Sequence, residues 1–170
     1  MLENFTIESL LQAYRDKKVS VGEVVAAYYD RIEDINPEFN VYVNTCKQLA
    51  EKQVEQIGEY DLNKHLLYGV PLGLKDVFSY KDCELTACSK MLAGYKPSFN
   101  APATQRLLDQ GAVVLGMVNT DEFTCGASSE TSCYGATLNP YDKSCVAGGS
   151  SGGSSALVPL NLGVFATGTD

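Results

Sequence analysis

Residues 102–118 read "PATQRLLDQGAVVLGMV". The pattern is a short helix, a glycine at position 111 placed to cap its C-terminus, and then an apolar run suited to a buried strand. A helix feeding directly into a buried strand is half of a βαβ unit, so the expected fold class is α/β, a mixed or parallel sheet flanked by helices. Upstream, residues 66–78 read "LLYGVPLGLKDVF", apolar, glycine-punctuated and strand-like, with Lys75 set among hydrophobic side chains.

Further toward the N-terminus the pattern changes to helical periodicity. Ile7, Leu10, Leu11 and Tyr14 mark one face of a helix from Thr6 to about Lys17. Ser20 and Glu23 form an S-x-x-E capping box for a second helix, whose apolar face carries Val24, Ala27, Tyr28, Ile32 and Ile35 and which Asn36-Pro37 is expected to end. A third helical run, Thr45 to Ile57, stops at Gly58. The expected layout is a helical cap over residues 1–60 and an α/β core beginning at residue 66. No internal repeat is present.

The chain of 170 residues suits one domain, and 45% apolar content can bury a sizeable core. Its net charge of −8 disfavours direct binding to a phosphate backbone. The first ten residues, "MLENFTIESL", lack the basic and apolar regions of a secretory signal, and no apolar run has membrane-spanning length. The six cysteines, at 46, 83, 88, 125, 133 and 145, show no C-x-x-C pair, and the single histidine, His65, lies in a polar turn where it reads as exposed. Reduced thiols, and no metal site, are the expectation.

The stretch "VAGGSSGGSS", residues 146–155, holds four glycines and four serines. The apolar "ALVPLNLGVFATG" that follows argues against a flexible linker. No lysine follows the glycines as a P-loop requires, although an anion-binding nest at the start of a helix stays open. Gly148 to Gly152 also spell the G-x-S-x-G of a nucleophile elbow, but no histidine lies downstream to complete a Ser-His-Asp triad.

A serine can instead be activated by a lysine whose amine is neutral near pH 7. Lowering a lysine from about 10.4 to about 7 costs roughly 4 to 5 kcal/mol, which burial among apolar groups can supply. Lys75 has such surroundings. The competing reading is a lysine at a strand end, paired with Asp76.

The segments "GVPLGLKD" and "AGGSSGGSSALVPLNLGVFATGTD", with Lys75 and Ser150 75 positions apart, together resemble the amidase signature family. Within it, "CSKMLAGY" (88–95), "NTDEFTCGASSETSCYG" (119–135) and "NPYD" (139–142) resemble the branch of glutamyl-tRNA(Gln) and aspartyl-tRNA(Asn) amidotransferase A subunits. The resemblance implies the amidase signature fold and a Ser–cis-Ser–Lys triad. In that triad Lys75 is the proton shuttle and Ser150, on a cis peptide bond, is the bridge. It also implies a nucleophilic serine in a Gly-Gly-Ser soon after "GTD", together with oxyanion-hole amides in the same turn. The chain therefore reads as the N-terminal part of a longer amidase domain, expected to be inactive and poorly soluble alone. Pro159 and Asn161 depart from a smooth helix and predict a kink or shortening after Gly153.

The activity so implied is hydrolysis of glutamine to supply ammonia for converting Glu-tRNA(Gln) to Gln-tRNA(Gln), with the B and C subunits of the amidotransferase as partners. The resemblance assigns the tRNA contacts mainly to the second of the three subunits, B, which also uses ATP and Mg; no cofactor is expected in this chain. Thr124 and Ser128, in the loop around "GASSETSCYG", are candidates for holding the substrate's α-groups. The alternatives are a stand-alone amidase of the same family and an inactive binding module. The expected compartment is the cytoplasm, or else a mitochondrial or plastid matrix.

Overall fold

The computed structural model describes residues 4–58, 61 and 65–170. Helix α1 spans Ile7–Arg15 and α2 spans Val21–Phe39, and each begins at a capping box. The box at Ser20 and Glu23 is the one visible in the sequence. The box on α1 pairs Thr6 with Ser9, whose short hydroxyl replaces the usual glutamate.

Pro37 does not end α2 but sits inside its last turn. Two tertiary demands carry the helix past it. Phe39 is buried in the core, and Asn36 uses its side chain to set the exit: Oδ1 accepts from the amides of Val41 (2.9 Å) and Tyr42 (2.6 Å), while Nδ2 donates to the Tyr42 carbonyl (2.9 Å). The helix then closes on Asn40 in the left-handed conformation.

Strand β1 (Tyr42–Thr45) follows at once, so the first sixty residues are not purely a helical cap. This strand is too short for a clear alternation and was hidden between two helical patterns. Helix α3 (Lys47–Gln56) completes the N-terminal region.

The core is a four-stranded sheet. Strand β2 (Pro71–Lys75), helix α4 (Pro102–Asp109) and strand β3 (Val113–Val118) make the expected βαβ unit, β2 and β3 running parallel with Lys75 beside Val118. Between β3 and the end of the chain lie a two-stranded hairpin, β4 (Leu138–Asn139) and β5 (Asp142–Val146), then the six-residue helix α5 (Gly152–Leu157), which stops before Pro159, and strand β6 (Phe165–Ala166). Strand β1 adds antiparallel to β3, and β6 adds parallel to β2, giving the order β1-β3-β2-β6. The sheet is mixed, as expected.

Both sheet faces are buried, which is why β2 and β3 read as continuous apolar runs rather than alternations. One face packs Val113 and Leu115 against α1, α2 and the Leu157–Leu162 segment; the other packs Leu72, Leu74, Val114 and Met117 against residues of α4 and Tyr80. Buried tyrosines tie the first layer to the sheet through their hydroxyls: Tyr14 to the Gly69 carbonyl (3.0 Å), Tyr29 to Leu115 (2.9 Å) and Tyr42 to Leu162 (2.9 Å). Among the described residues no helix is long and apolar enough to cross a membrane.

Two further sequence expectations fail. Cys46 and Cys83 form a disulfide between the start of α3 and the loop after β2; their Cα atoms are 6.4 Å apart although 37 residues separate them in sequence, a proximity that spacing cannot reveal. The other four cysteines are free. His65 is half-buried rather than exposed, its ring 6.2 Å from that of Tyr68 and its side chain against Gly111. Most of the polar turn before it lies outside the described residues.

Candidate active site

In parallel strands the carboxyl ends point the same way, and here three of them converge. Strand β2 ends on Lys75, β3 runs into Asn119-Thr120-Asp121, and β6 runs into Thr167-Gly168-Thr169. The glycine-serine stretch turns into α5 at this same end. Gly153 donates its amide to the Asn119 carbonyl (3.0 Å), and a Cβ at this position would lie 2.5 Å from the Asn119 nitrogen and 2.7 Å from the Val41 oxygen. Only glycine lets the helix start so close to the strand end. The stretch is a packed turn rather than a flexible linker.

Lys75 is fully buried, and its Nζ lies 2.8 Å from Ser150 Oγ, 3.0 Å from Ser151 Oγ and 2.6 Å from Thr169 Oγ1. It does not pair with Asp76. Successive side chains on a strand point to opposite faces, and the buried Asp76 carboxylate is occupied elsewhere. It accepts from the Thr86 hydroxyl (2.5 Å), the Thr86 amide (3.1 Å) and the Cys88 amide (3.0 Å). The reading of Lys75 as a lysine paired with Asp76 is thereby corrected.

The amine is held below the ordinary lysine value. Burial is the main cause, opposed by the charge of Asp121 and by Cys88. Cys88 is itself pushed up to about 12, chiefly by burial and then by Asp76, so near neutral pH it is an uncharged thiol. In its uncharged form such an amine could accept a proton from one of the three hydroxyls while donating to the other two. The arrangement is therefore suited to general-base work.

The backbone holds the hydroxyls in place. Ser150 follows a cis peptide bond from Gly149. Thr169 donates its amide to Ser151 Oγ (3.2 Å), whose hydroxyl is returned to the Thr169 carbonyl (3.3 Å). The Lys75 amide donates to Thr167 Oγ1 (2.9 Å), and Ser154 Oγ donates to the Thr167 carbonyl (2.6 Å). Ser151, Thr167 and Thr169 were not singled out in the sequence. The only signal for them was that they flank Ser150 or lie in the "ATGTD" that closes the resemblance.

The loop at 121–132 is largely committed to internal bonds. Ser129 and Thr131 bond to the Asp121 carboxylate, and Ser132 Oγ donates to Asn119 Oδ1 (2.7 Å). The structure places Thr124 half-buried in a turn after Asp121 and Ser128 half-buried with its amide close to Gly149. Neither side chain bonds to Lys75 or Ser150 among the described residues. His65 is at the other end of the sheet. From Val70 to Lys75, at about 3.3 Å per residue, is roughly 16 Å. No group of His, Cys, Asp and Glu residues among those described comes together to hold a metal ion.

Known proteins resemble this chain over nearly all of its length. A family model described as amidase matches residues 23–170. The A subunit of glutamyl-tRNA(Gln) amidotransferase from Staphylococcus carnosus is 38% identical over 168 residues, which is 97% of this chain and 35% of that protein. Among solved structures, 6-aminohexanoate cyclic dimer hydrolase superposes with a TM-score of 0.90 at 28% identity, over 97% of this chain and 34% of its own. The Thermotoga maritima glutamyl-tRNA(Gln) amidotransferase A subunit gives a TM-score of 0.82 at 28% identity, over 99% and 35%. The chain thus spans about a third of the length of the curated relatives it matches.

Proposed function

The chain belongs to the amidase family, and on that premise we propose that it carries the base and the bridging hydroxyl of a Ser–cis-Ser–Lys relay in the glutaminase subunit of a glutamyl-tRNA(Gln) amidotransferase. The observation that carries this reading is the 2.8 Å contact between Lys75 Nζ and Ser150 Oγ, with Ser150 on a cis peptide bond.

In the reaction a serine beyond Asp170 attacks the side-chain amide carbon of glutamine. Its proton passes to Ser150 Oγ as the Ser150 proton passes to Lys75 Nζ. The relay then runs in reverse to protonate the departing ammonia, and water releases glutamate from the acyl-serine. A hydroxyl between nucleophile and amine suits this double transfer because it accepts and donates at once. Thr169, whose Oγ1 lies 2.6 Å from Lys75 Nζ, brings the "ATGTD" segment directly beside the relay. The hydroxyls of Thr124 and Ser128 have no partner among the described residues, which keeps them as candidates for holding the substrate's α-groups. Ammonia would be consumed on Glu-tRNA(Gln) by the B partner using ATP and Mg, with the C partner bracing the pair, in the cytoplasm.

A second reading, a stand-alone amidase, is favoured by the higher TM-score to the cyclic dimer hydrolase, 0.90 against 0.82. One assay separates the two: ammonia release from glutamine by the complete protein, with and without the B and C partners. The amidotransferase reading predicts glutamine hydrolysis that the partners stimulate. Turnover of other small amides with indifference to the partners would select the stand-alone enzyme, and no turnover of any amide would leave only a binding module.

A further inference from the structure

Asp121 is the buried acid that the relay described above does not use. Its carboxylate is fully buried. Oδ2 accepts from the Ser129 amide (2.9 Å) and Oδ1 from the Thr131 hydroxyl (2.8 Å). Its own amide donates to the Ser150 carbonyl (3.3 Å). Glycines press on it from two sides, since a Cβ on Gly149 would collide with Oδ2 and a Cβ on Gly126 with Oδ1 and Cγ. Among the described residues it forms no ion pair.

We propose that Asp121 is a positioning residue for the relay, fixing the Gly149–Ser150 segment through its amide and carboxylate and supplying the buried negative charge that acts on Lys75. The inference rests on the relay reading of Lys75 and Ser150. Two geometric features carry it: the hydrogen bond from the Asp121 amide to the Ser150 carbonyl, with the carboxylate packed against Gly149, and a fully buried anion that forms no ion pair among the described residues. The groups acting on the Lys75 charge are Asp121 from the loop after β3 and Cys88 from the loop after β2, and only the former is charged near pH 7. Burial tends to raise the Asp121 carboxyl, but the donors from Ser129, Thr131 and Ser128 outweigh it and keep the group ionised.

The test compares the complete protein with Asp121→Asn and Asp121→Glu, reading the titration midpoint of Lys75 by carbon-13 NMR of its side chain, with the signal assigned by its loss in Lys75→Met. Removing the negative charge destabilises the ammonium, so Asp121→Asn is expected to lower the midpoint by about one pH unit. The acid limb of amide hydrolysis should move down by the same amount, and kcat should fall about tenfold or more with KM little changed. Asp121→Glu keeps the charge and is expected to restore most of the midpoint while kcat stays low, because the longer side chain displaces Gly149. A folded Asp121→Asn protein with the wild-type midpoint would overturn the proposal, as would an Asp121→Glu protein with unchanged kcat. If the wild-type protein hydrolyses no amide, the proposed function fails on its own, and the Lys75 midpoint still decides whether Asp121 acts on it.

Discussion

Lys75 is the last residue of β2 and Asp76 the next in the chain; both are buried, and they face opposite environments. Lys75 meets three hydroxyls whose protons can rotate and transfer; Asp76 meets two backbone amides and one hydroxyl that hold a loop in place. The same strand end thus supports a group surrounded by exchangeable protons and a group surrounded by fixed donors. Chemistry belongs with the first and structural anchoring with the second.

The largest effect is expected where that contrast is broken at Lys75. In the complete protein Lys75→Met should cut amide hydrolysis by about 10³-fold or more while leaving the melting temperature unchanged or higher, because it replaces a buried amine with an apolar chain of similar volume. Steady-state ammonia release and a thermal melt check both halves. Asp76→Asn should do the reverse. Its amide group faces donors only, so a loss of about 2 to 3 kcal/mol in denaturant unfolding is expected, with far less effect on turnover than at Lys75.

Asp76 also predicts a pH signature. Its carboxyl is raised by burial, against the bonds from Thr86 and Cys88. The native state therefore holds this proton more tightly than the unfolded chain. Between the ordinary value near 4 and the raised one, its contribution to stability falls as pH increases. The margin of wild type over Asp76→Asn should be widest below pH 4 and narrow above it, as parallel denaturant titrations would read.

Gly149 sharpens the comparison from the other side. Gly149→Ala drives a methyl group into Asp121 and the Ser128 amide, displacing Ser150, so kcat should drop about tenfold or more with only a modest loss of stability. The smallest effect lies far from both neighbours. Ser20→Ala removes the capping box from α2 and should cost about 1 kcal/mol, read as a melting temperature lower by about 2 to 4 °C, with hydrolysis unaffected.

Much of this was legible in the residues. The βαβ unit, the capping box of α2, the shortened α5 and the pairing of Lys75 with the glycine-serine stretch all follow from local pattern or from the family resemblance. What was not legible depends on chain segments distant in sequence. Strand β1 exists because Val118 and Gly116 lie beside it, and α2 passes Pro37 because Phe39 has a core to enter. Asp121 gains its place from two glycines, Gly126 and Gly149, that lie 5 and 28 positions further along the chain, and the Cys46–Cys83 bond joins the start of α3 to the loop after β2. His65 reads as exposed from sequence because local polarity says nothing of the Tyr68 and Gly111 surfaces that cover it.

The central claim is that Lys75 and Ser150 act as one relay, and a double-mutant cycle on amide hydrolysis by the complete protein tests it most directly. Lys75→Met should lower kcat about 10³-fold and Ser150→Ala about 10²-fold or more, and the double variant should be no slower than the slower of the two, because a relay broken once is already lost. Losses that multiply in the double variant would show two independent contributions and contradict the account.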